Sequence, residues 1–295
     1  MEKLRSLFEF SLYQIFAGLI RFFPRKIILF LGRETGRLFF HLSRKHHNIA
    51  LKNLYTALGK DKTPSEIENI ANLSFQHFGK TFLDMIYLAQ LKPKKRNSYL
   101  IPDGLENLQT ALDKGKGVLL LSAHFGLWEI ISAILSKAGK LKVVARPLDN
   151  PLMEKELLKL RNALGAMVIS KHHASRNILQ ALRKNEIVAI LIDQNVLREE
   201  SVFVDFFSKK ASTTPGLAMF HLRTEAAIIP AFCCPTRDNK YIIKILKPVE
   251  VPLSDDSQTN ILNITQACTK VIEEQIRARP ESWLWFHDRW KSRPK

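Results

Sequence analysis

From Pro102 onward the chain alternates short apolar runs with helix-patterned segments, and this alternation constrains the fold more than any other feature. "GVLLLSA" is followed by a helix from about Leu127, "LKVVAR" by "NPLMEKELLKLRNAL", "AMVIS" by "ASRNILQALRK", and "EIVAILID" by a long loop. Short apolar runs that do not alternate are strands buried on both faces, and strands separated by helices pair in parallel. A helix over 214–225 then leads into "AAIIPAFCC", with "KYIIKIL" as its hairpin partner. The expectation is α/β: a mostly parallel central sheet with flanking helices and an antiparallel edge. In such sheets ligands meet the carboxyl ends of the strands. Upstream, residues 44–110 read as helical, and "TPSEIENIANLSFQHFGKTFLDMIYL" opens on a cap at Thr63 or Ser65 beside Pro64.

The first forty residues mix dense apolar side chains with Arg21, Arg25, Lys26, Arg33 and Arg37. The uninterrupted apolar stretch from Phe10 to Ile20 falls short of the roughly 20 residues that span a bilayer. Glu2 and Glu9 spoil the basic region of a signal peptide, and no A-x-A site follows. Apolar helices edged with arginine suit the membrane interface, where basic side chains reach headgroup phosphates. A buried helical hairpin packed on the rest of the chain and a single spanning helix are the other readings. The expected division is 1–42 as membrane-associated helices and 43–295 as the main domain. No linker, low-complexity tract or repeat breaks up the 295 residues.

The formal net charge is +17, a long-range field that attracts polyanions such as nucleic acid, anionic lipid or an acidic protein. The basic residues are spread throughout rather than gathered on one module with stacking aromatics, which argues against nucleic acid. Cys233, Cys234 and Cys268 have no CxxC spacing and read as reduced core thiols. The pairs His46–His47 and His172–His173 lack a third ligand at suitable spacing, so no metal is expected.

One strand end carries candidate chemistry. In "LLLSAHFGLWEII" the apolar run stops at His124, and Glu129 falls in the first turn of the next helix. Such a carboxylate can accept the Nδ1 proton and leave Nε2 free as a general base. It is equally what a capped helix shows, with an acid favoured by the dipole and a hydrogen-bonded core histidine. A serine hydrolase would want G-x-S-x-G at such a turn, and the turn here carries Ala-His-Phe-Gly.

"HFGLWE" resembles the H-x4-D/E motif of glycerolipid acyltransferases, and its surroundings resemble the lipid A late acyltransferase family. The blocks that carry the likeness are "HNIALKNL", "ARPLDNPLMEKELLKLRNALGA", "LIDQN", "VFVDFFSKKASTTPGLA" and "PESWLWFHDRWKSRP", in order and nearly end to end. The resemblance implies a glycerolipid-acyltransferase-like fold, with His124 as base and Glu129 as its orienting acid. It places Phe125, Gly126, Trp128, Arg146, Asn150 and Arg161 around the acceptor, and Asp193 and Gln194 at a later strand end. Phe203, Val204, Phe206 and Phe207 would line the acyl or acceptor cleft. Glycine is expected where Ser201 and Ser208 stand. The implied reaction moves an acyl chain from acyl carrier protein, or from acyl-CoA, to a hydroxyl of an anionic glycolipid. It uses no cofactor and takes place on the cytoplasmic face of the bacterial inner membrane. A phosphatidylinositol mannoside acyltransferase shares the pattern and stands as the alternative acceptor class.

Overall fold

The computed structural model describes residues 2–170 and 174–294. His172 and His173 lie outside the described residues. The helical N-terminal third consists of α1 (Glu2–Ile20), α2 (Arg25–Leu42), α3 (Arg44–Leu58), α4 (Pro64–Gln90) and the short α5 (Pro93–Asn97). Thr63 caps α4 in a full capping box, its hydroxyl accepting from the Glu66 amide while Glu66 accepts from the Thr63 amide, with Pro64 at the first turn. Next come β1 (Leu100–Asp103), α6 (Leu105–Asp113), β2 (Val118–Ser122), α7 (Ser132–Leu135), β3 (Leu141–Ala145), α8 (Pro151–Ala163), β4 (Ala166–Ser170), α9 (Ala174–Arg183) and β5 (Ile187–Leu191). The chain ends with the hairpin β6 (Val202–Phe206) and β7 (Lys209–Thr213), then α10 (Gly216–Thr224), β8 (Ala227–Pro235), β9 (Tyr241–Ile245) and α11 (Ser257–Ala278).

Among the described residues the main sheet has seven strands, in the order β1-β9-β8-β2-β5-β3-β4. Every pairing is parallel except β8 with β9, as the alternating pattern and the "AAIIPAFCC" hairpin require. Two differences from expectation have physical causes. The antiparallel pair is not the edge, because β1 adds outside β9 in parallel. Leu100–Asp103 holds only one fully buried residue, so it gives no apolar run to read. The "long loop" after β5 contains the β6–β7 hairpin, whose alternation around Asp205 marks an antiparallel ribbon. That hairpin turns at Phe207 (φ 52°) and Ser208 (φ 59°). Positive φ at both central residues is the type I′ requirement, which explains why glycine is expected at 208. Ser201 is extended (φ −129°), and its backbone makes no such demand.

The N-terminal helices do not stand apart from the sheet. Arg25 of α2 forms a two-pronged bond with Asp84 of α4 (2.8 and 2.6 Å), and the Tyr241 hydroxyl of β9 donates to the same carboxylate (2.6 Å). Asp84 is completely buried, so its partners offset the cost of desolvating a charge. Ile28, Leu29 and Phe40 of α2 are likewise core residues. Among the described residues no helix is long and apolar enough to cross a membrane.

Helices α2 and α4 approach so closely that backbone meets backbone. A Cβ at Gly36 would stand 2.1 Å from the Phe75 carbonyl oxygen, and one at Gly79 would stand 2.3 Å from that of Gly32. Gly36→Ala is therefore expected to push α2 off α4 and cost roughly 1–3 kcal/mol. A lowered melting temperature, measured by circular dichroism, checks this; an unchanged one refutes the close crossing.

Candidate active site

Strands β2 and β5 pair in parallel with Ser122 opposite Leu191. Their continuations therefore rise side by side from the carboxyl edge, and His124 faces Asp193. The turn after β2 is held from both sides. The Gly126 amide donates to the Ser282 carbonyl (2.8 Å), the Leu284 amide donates to the His124 carbonyl (3.2 Å), and Phe125 bridges Trp283. Gly126 has φ +60°, and a Cβ there would stand 1.8 Å from the Cys233 carbonyl oxygen of β8. Only glycine permits that approach.

Asp193 then fixes the histidine twice. Its Oδ1 lies 3.0 Å from His124 Nδ1, and its Oδ2 accepts from the His124 amide (3.0 Å) and from Trp283 Nε1 (2.8 Å). Burial pushes the Asp193 carboxyl up, but the His124 charge, its hydrogen bonds and that of Trp283 prevail and hold it below the ordinary carboxylate range. An ionised carboxylate only accepts, so in the neutral imidazole the proton resides on Nδ1 and Nε2 presents a lone pair. The Gln194 side-chain amide, 3.3 Å from Nε2, is placed to donate to it.

Glu129 does something else. The chain leaves Gly126 into a 3₁₀ turn, Trp128–Ile131, and α7 supplies only one further helical turn. The Glu129 carboxylate is directed away from His124 to Arg161 of α8, receiving Nε at 3.0 Å and Nη2 at 2.6 Å. The expected Glu129–His124 pair is thus corrected: Asp193 occupies Nδ1, and Glu129 anchors an arginine.

Two cavities meet at this point. A cleft of about 300 Å³ has apolar walls from Tyr13, Phe78, Phe82, Met85, Leu157 and Leu160. A groove of about 820 Å³ runs over the carboxyl ends of the strands and includes Arg146, Gln194, Asn195 and His287. His124, Trp128, Glu129, Leu148 and Arg161 belong to both. The His124 ring packs edge-on to Trp128, with centroids 5.0 Å apart.

Of the remaining expected residues, Arg146 sits on the groove and is exposed, bonded to Asp149 at 2.7 Å. Asn150 is a helix cap, accepting from the Leu152 and Met153 amides and donating to the Ser6 carbonyl and Glu9; it lines neither cavity. Phe125 and Gly126 shape the turn, and Phe125 is buried in the core. Val204, Phe206 and Phe207 are core residues too: Phe206 packs on Trp283 and Trp290, behind the site and off both cavity walls. Phe203, on the same ribbon, lines neither cavity. The aromatic run is core because the hairpin lies across α11 and the tryptophans.

Three residues of the terminal "SWLWFHDRW" contact the site or the segments around it. Trp283 bonds Asp193. His287 lines the groove and accepts from the Asn195 amide at 3.2 Å; burial lowers its pKa, so it stays neutral. Arg289, fully buried, donates to the Ser212 carbonyl and to Thr213 (2.5 Å), and burial lowers its pKa to about 10. Polar residues interleaved with three tryptophans were the available signal. Among the described residues, no three His, Cys, Asp or Glu side chains are grouped to hold a metal.

Because the folded pKa of Asp193 lies below its unfolded value of about 3.9, its bonds contribute stability above that pH and lose it as pH falls through the folded value. Asp193→Asn is expected to be less stable at neutral pH and to lose less further stability below about pH 4. Urea unfolding across pH checks this; parallel curves for the two proteins would refute it.

A family model described as bacterial lipid A biosynthesis acyltransferase matches residues 2–292. The chain is similar to the lipid A biosynthesis palmitoleoyltransferase of Escherichia coli (strain K12), 27% identical over 274 residues that cover 92% of this chain and 87% of that protein. It is similar to the lipid A biosynthesis lauroyltransferase of the same organism, 26% identical with 92% and 88% covered. A phosphatidylinositol mannoside acyltransferase of Mycobacterium tuberculosis (strain CDC 1551 / Oshkosh) is 24% identical, with 81% and 75% covered.

Proposed function

Since the chain belongs to the bacterial lipid A biosynthesis acyltransferase family and is an O-acyltransferase, we propose that it moves a fatty acyl chain from an acyl carrier protein thioester to a hydroxyl of an anionic glycolipid, a lipid A precursor. The observation that carries this reading is a histidine, set by a buried carboxylate, at the junction of an apolar cleft and a larger groove that carries Arg146, Gln194, Asn195 and His287. The cleft suits a hydrocarbon chain and the groove a charged sugar headgroup.

In the proposed reaction Nε2 of His124 removes the proton of the acceptor hydroxyl as its oxygen attacks the thioester carbonyl carbon. Asp193 keeps the ring in the required tautomer and stabilises the imidazolium. The Gln194 amide, displaced from Nε2 by the hydroxyl, is available to the tetrahedral oxyanion. Collapse breaks the carbon–sulfur bond, and the leaving thiolate takes the proton from the imidazolium. Arg146 and Arg161 suit acceptor phosphate, since a guanidinium binds phosphate in two-pronged fashion. Glu129 then acts by holding Arg161 in place.

The exposed apolar residues of α1 and α2, such as Leu4, Phe8, Leu12, Phe30 and Leu38, support docking on a lipid surface with these helices lying in the interface. The net charge of +17 suits an anionic membrane and an acidic carrier protein alike. The proposed place of work is the cytoplasmic face of the bacterial inner membrane. The likeness to a phosphatidylinositol mannoside acyltransferase favours a second reading, in which the same site serves another glycolipid with acyl-CoA as donor.

Purified protein is given labelled acyl carrier or acyl-CoA with a diphosphorylated lipid acceptor. His124→Ala and Asp193→Asn are expected to lose about 10²–10⁴-fold in kcat/KM. Glu129→Gln is expected to act mainly on the acceptor KM. Undiminished transfer by folded His124→Ala would sink the mechanism, and transfer from acyl-CoA alone would favour the second reading.

A separate expectation concerns the surface. Co-sedimentation with vesicles containing anionic lipid should weaken when Phe8 and Leu12 are both replaced by serine, and should fall with added salt. Binding that responds to neither change would remove α1 from the membrane-facing surface.

A further inference from the structure

Helix α1 has apolar residues on both sides, and its inner side is not needed for surface binding. Leu4, Phe8, Leu12, Ile15 and Leu19 are exposed, whereas Ser6, Glu9, Tyr13, Phe16, Ala17 and Ile20 recur at helical spacing as half-buried or buried residues. This inner face is fastened at both ends. Near its start, Asn150 at the cap of α8 donates to the Ser6 carbonyl (3.1 Å) and to Glu9 (3.0 Å). Near its end, Gln90 of α4 donates to the Ala17 carbonyl (2.9 Å). Between these ties lies Tyr13, whose side chain is on the wall of the apolar cleft.

The cleft has a direction. From His124 a series of rings runs to Trp128 (5.0 Å), to Phe78 (6.4 Å) and to Phe82 (6.4 Å). Along α4 the wall continues from Phe78 to Met85 and Ile86, an axial reach of about 12 Å. The Gln90–Ala17 tie lies one turn beyond Ile86, and Tyr13 lies one turn before Ala17. Tyr13 and Glu156 of α8 line the cleft but not the groove, so they lie off the junction that holds His124.

We propose that α1 closes the far end of the acyl cleft and that Tyr13 limits the length of chain accepted. This rests on the reading that the cleft takes the acyl chain. A straight chain with its thioester carbon at His124 runs along the ring series and ends against the tyrosine. Burial and the charge of Glu156 raise the Tyr13 pKa, so its ring stays neutral beside the hydrocarbon. A helix that faces lipid outward and substrate inward also makes donor loading dependent on how α1 sits.

The test compares wild type, Tyr13→Ala and Tyr13→Trp with acyl carrier thioesters of graded saturated length, at fixed acceptor, measuring kcat/KM for each. Tyr13→Ala is expected to move the optimum to longer chains, with the long-to-short ratio rising roughly fourfold for each methylene newly accommodated. Tyr13→Trp is expected to move it to shorter ones. The same proteins are tested for vesicle binding. Superimposable length profiles in both variants overturn the proposal, as does a loss of vesicle binding with the profile unchanged, since α1 would then be an anchor alone. A wild type that hydrolyses or transfers no acyl chain of any length overturns the underlying functional reading together with it. Acyl transfer with shifted profiles supports both.

Discussion

Everything at the site depends on one buried carboxylate having its acceptor positions filled. Asp193 is nearly inaccessible to water, and an unpaired charge there would cost several kcal/mol. It is satisfied by the ring and amide of His124 at the end of β2 and by the indole of Trp283 in the C-terminal segment. Three distant parts of the chain are thus bound to one group. The same bonds that keep the charge tolerable hold the imidazole in the tautomer that leaves Nε2 unprotonated. Stability and the setting of the proposed base are here a single arrangement.

The sheet was legible in the sequence because its central strands are unbroken apolar runs, buried on both faces, separated by helices with clear periods. The capping box at Thr63 was legible for the same local reason. What was not legible depends on contacts between distant residues. H-x4-E made Glu129 the obvious partner for His124, yet a 3₁₀ turn carries it to Arg161, thirty-two residues on. Asp193 was marked as a strand-end acid, but its pairing with His124 exists only because β2 and β5 lie side by side in a particular register. The aromatic ribbon 203–207 looked like a cleft lining, and it is core because the tryptophans of the C-terminal segment lie behind it. No local pattern distinguishes those two environments.

The basic and apolar N-terminal helices show the same limit in another form. Their composition suggests one surface, whereas the structure gives each several. Arg25 is spent inside the fold on Asp84, beside Tyr241, while the glycines of α2 allow backbone contact with α4. Their outer residues remain exposed, and Tyr13 on the inner side of α1 walls a cavity. Composition counts side chains; it does not say which way each one faces.

The segment from Ser282 to Ser292 has a consequence for the order of events during synthesis. It provides the carbonyl that receives the Gly126 amide, the indole on Asp193, the carbonyls that bind the Asn53 side chain, and the hydroxyl that receives the Asn195 amide group. Ribosomes deliver these residues after every strand of the main sheet. A nascent chain can already contain His124, Asp193 and all seven strands of the main sheet while the turn that carries the imidazole still lacks its final supports. The turn that carries the imidazole is therefore completed only after the sheet is available to fold. The order of residues along the chain thereby sets a delay between forming the sheet and bracing the turn on which the proposed base stands.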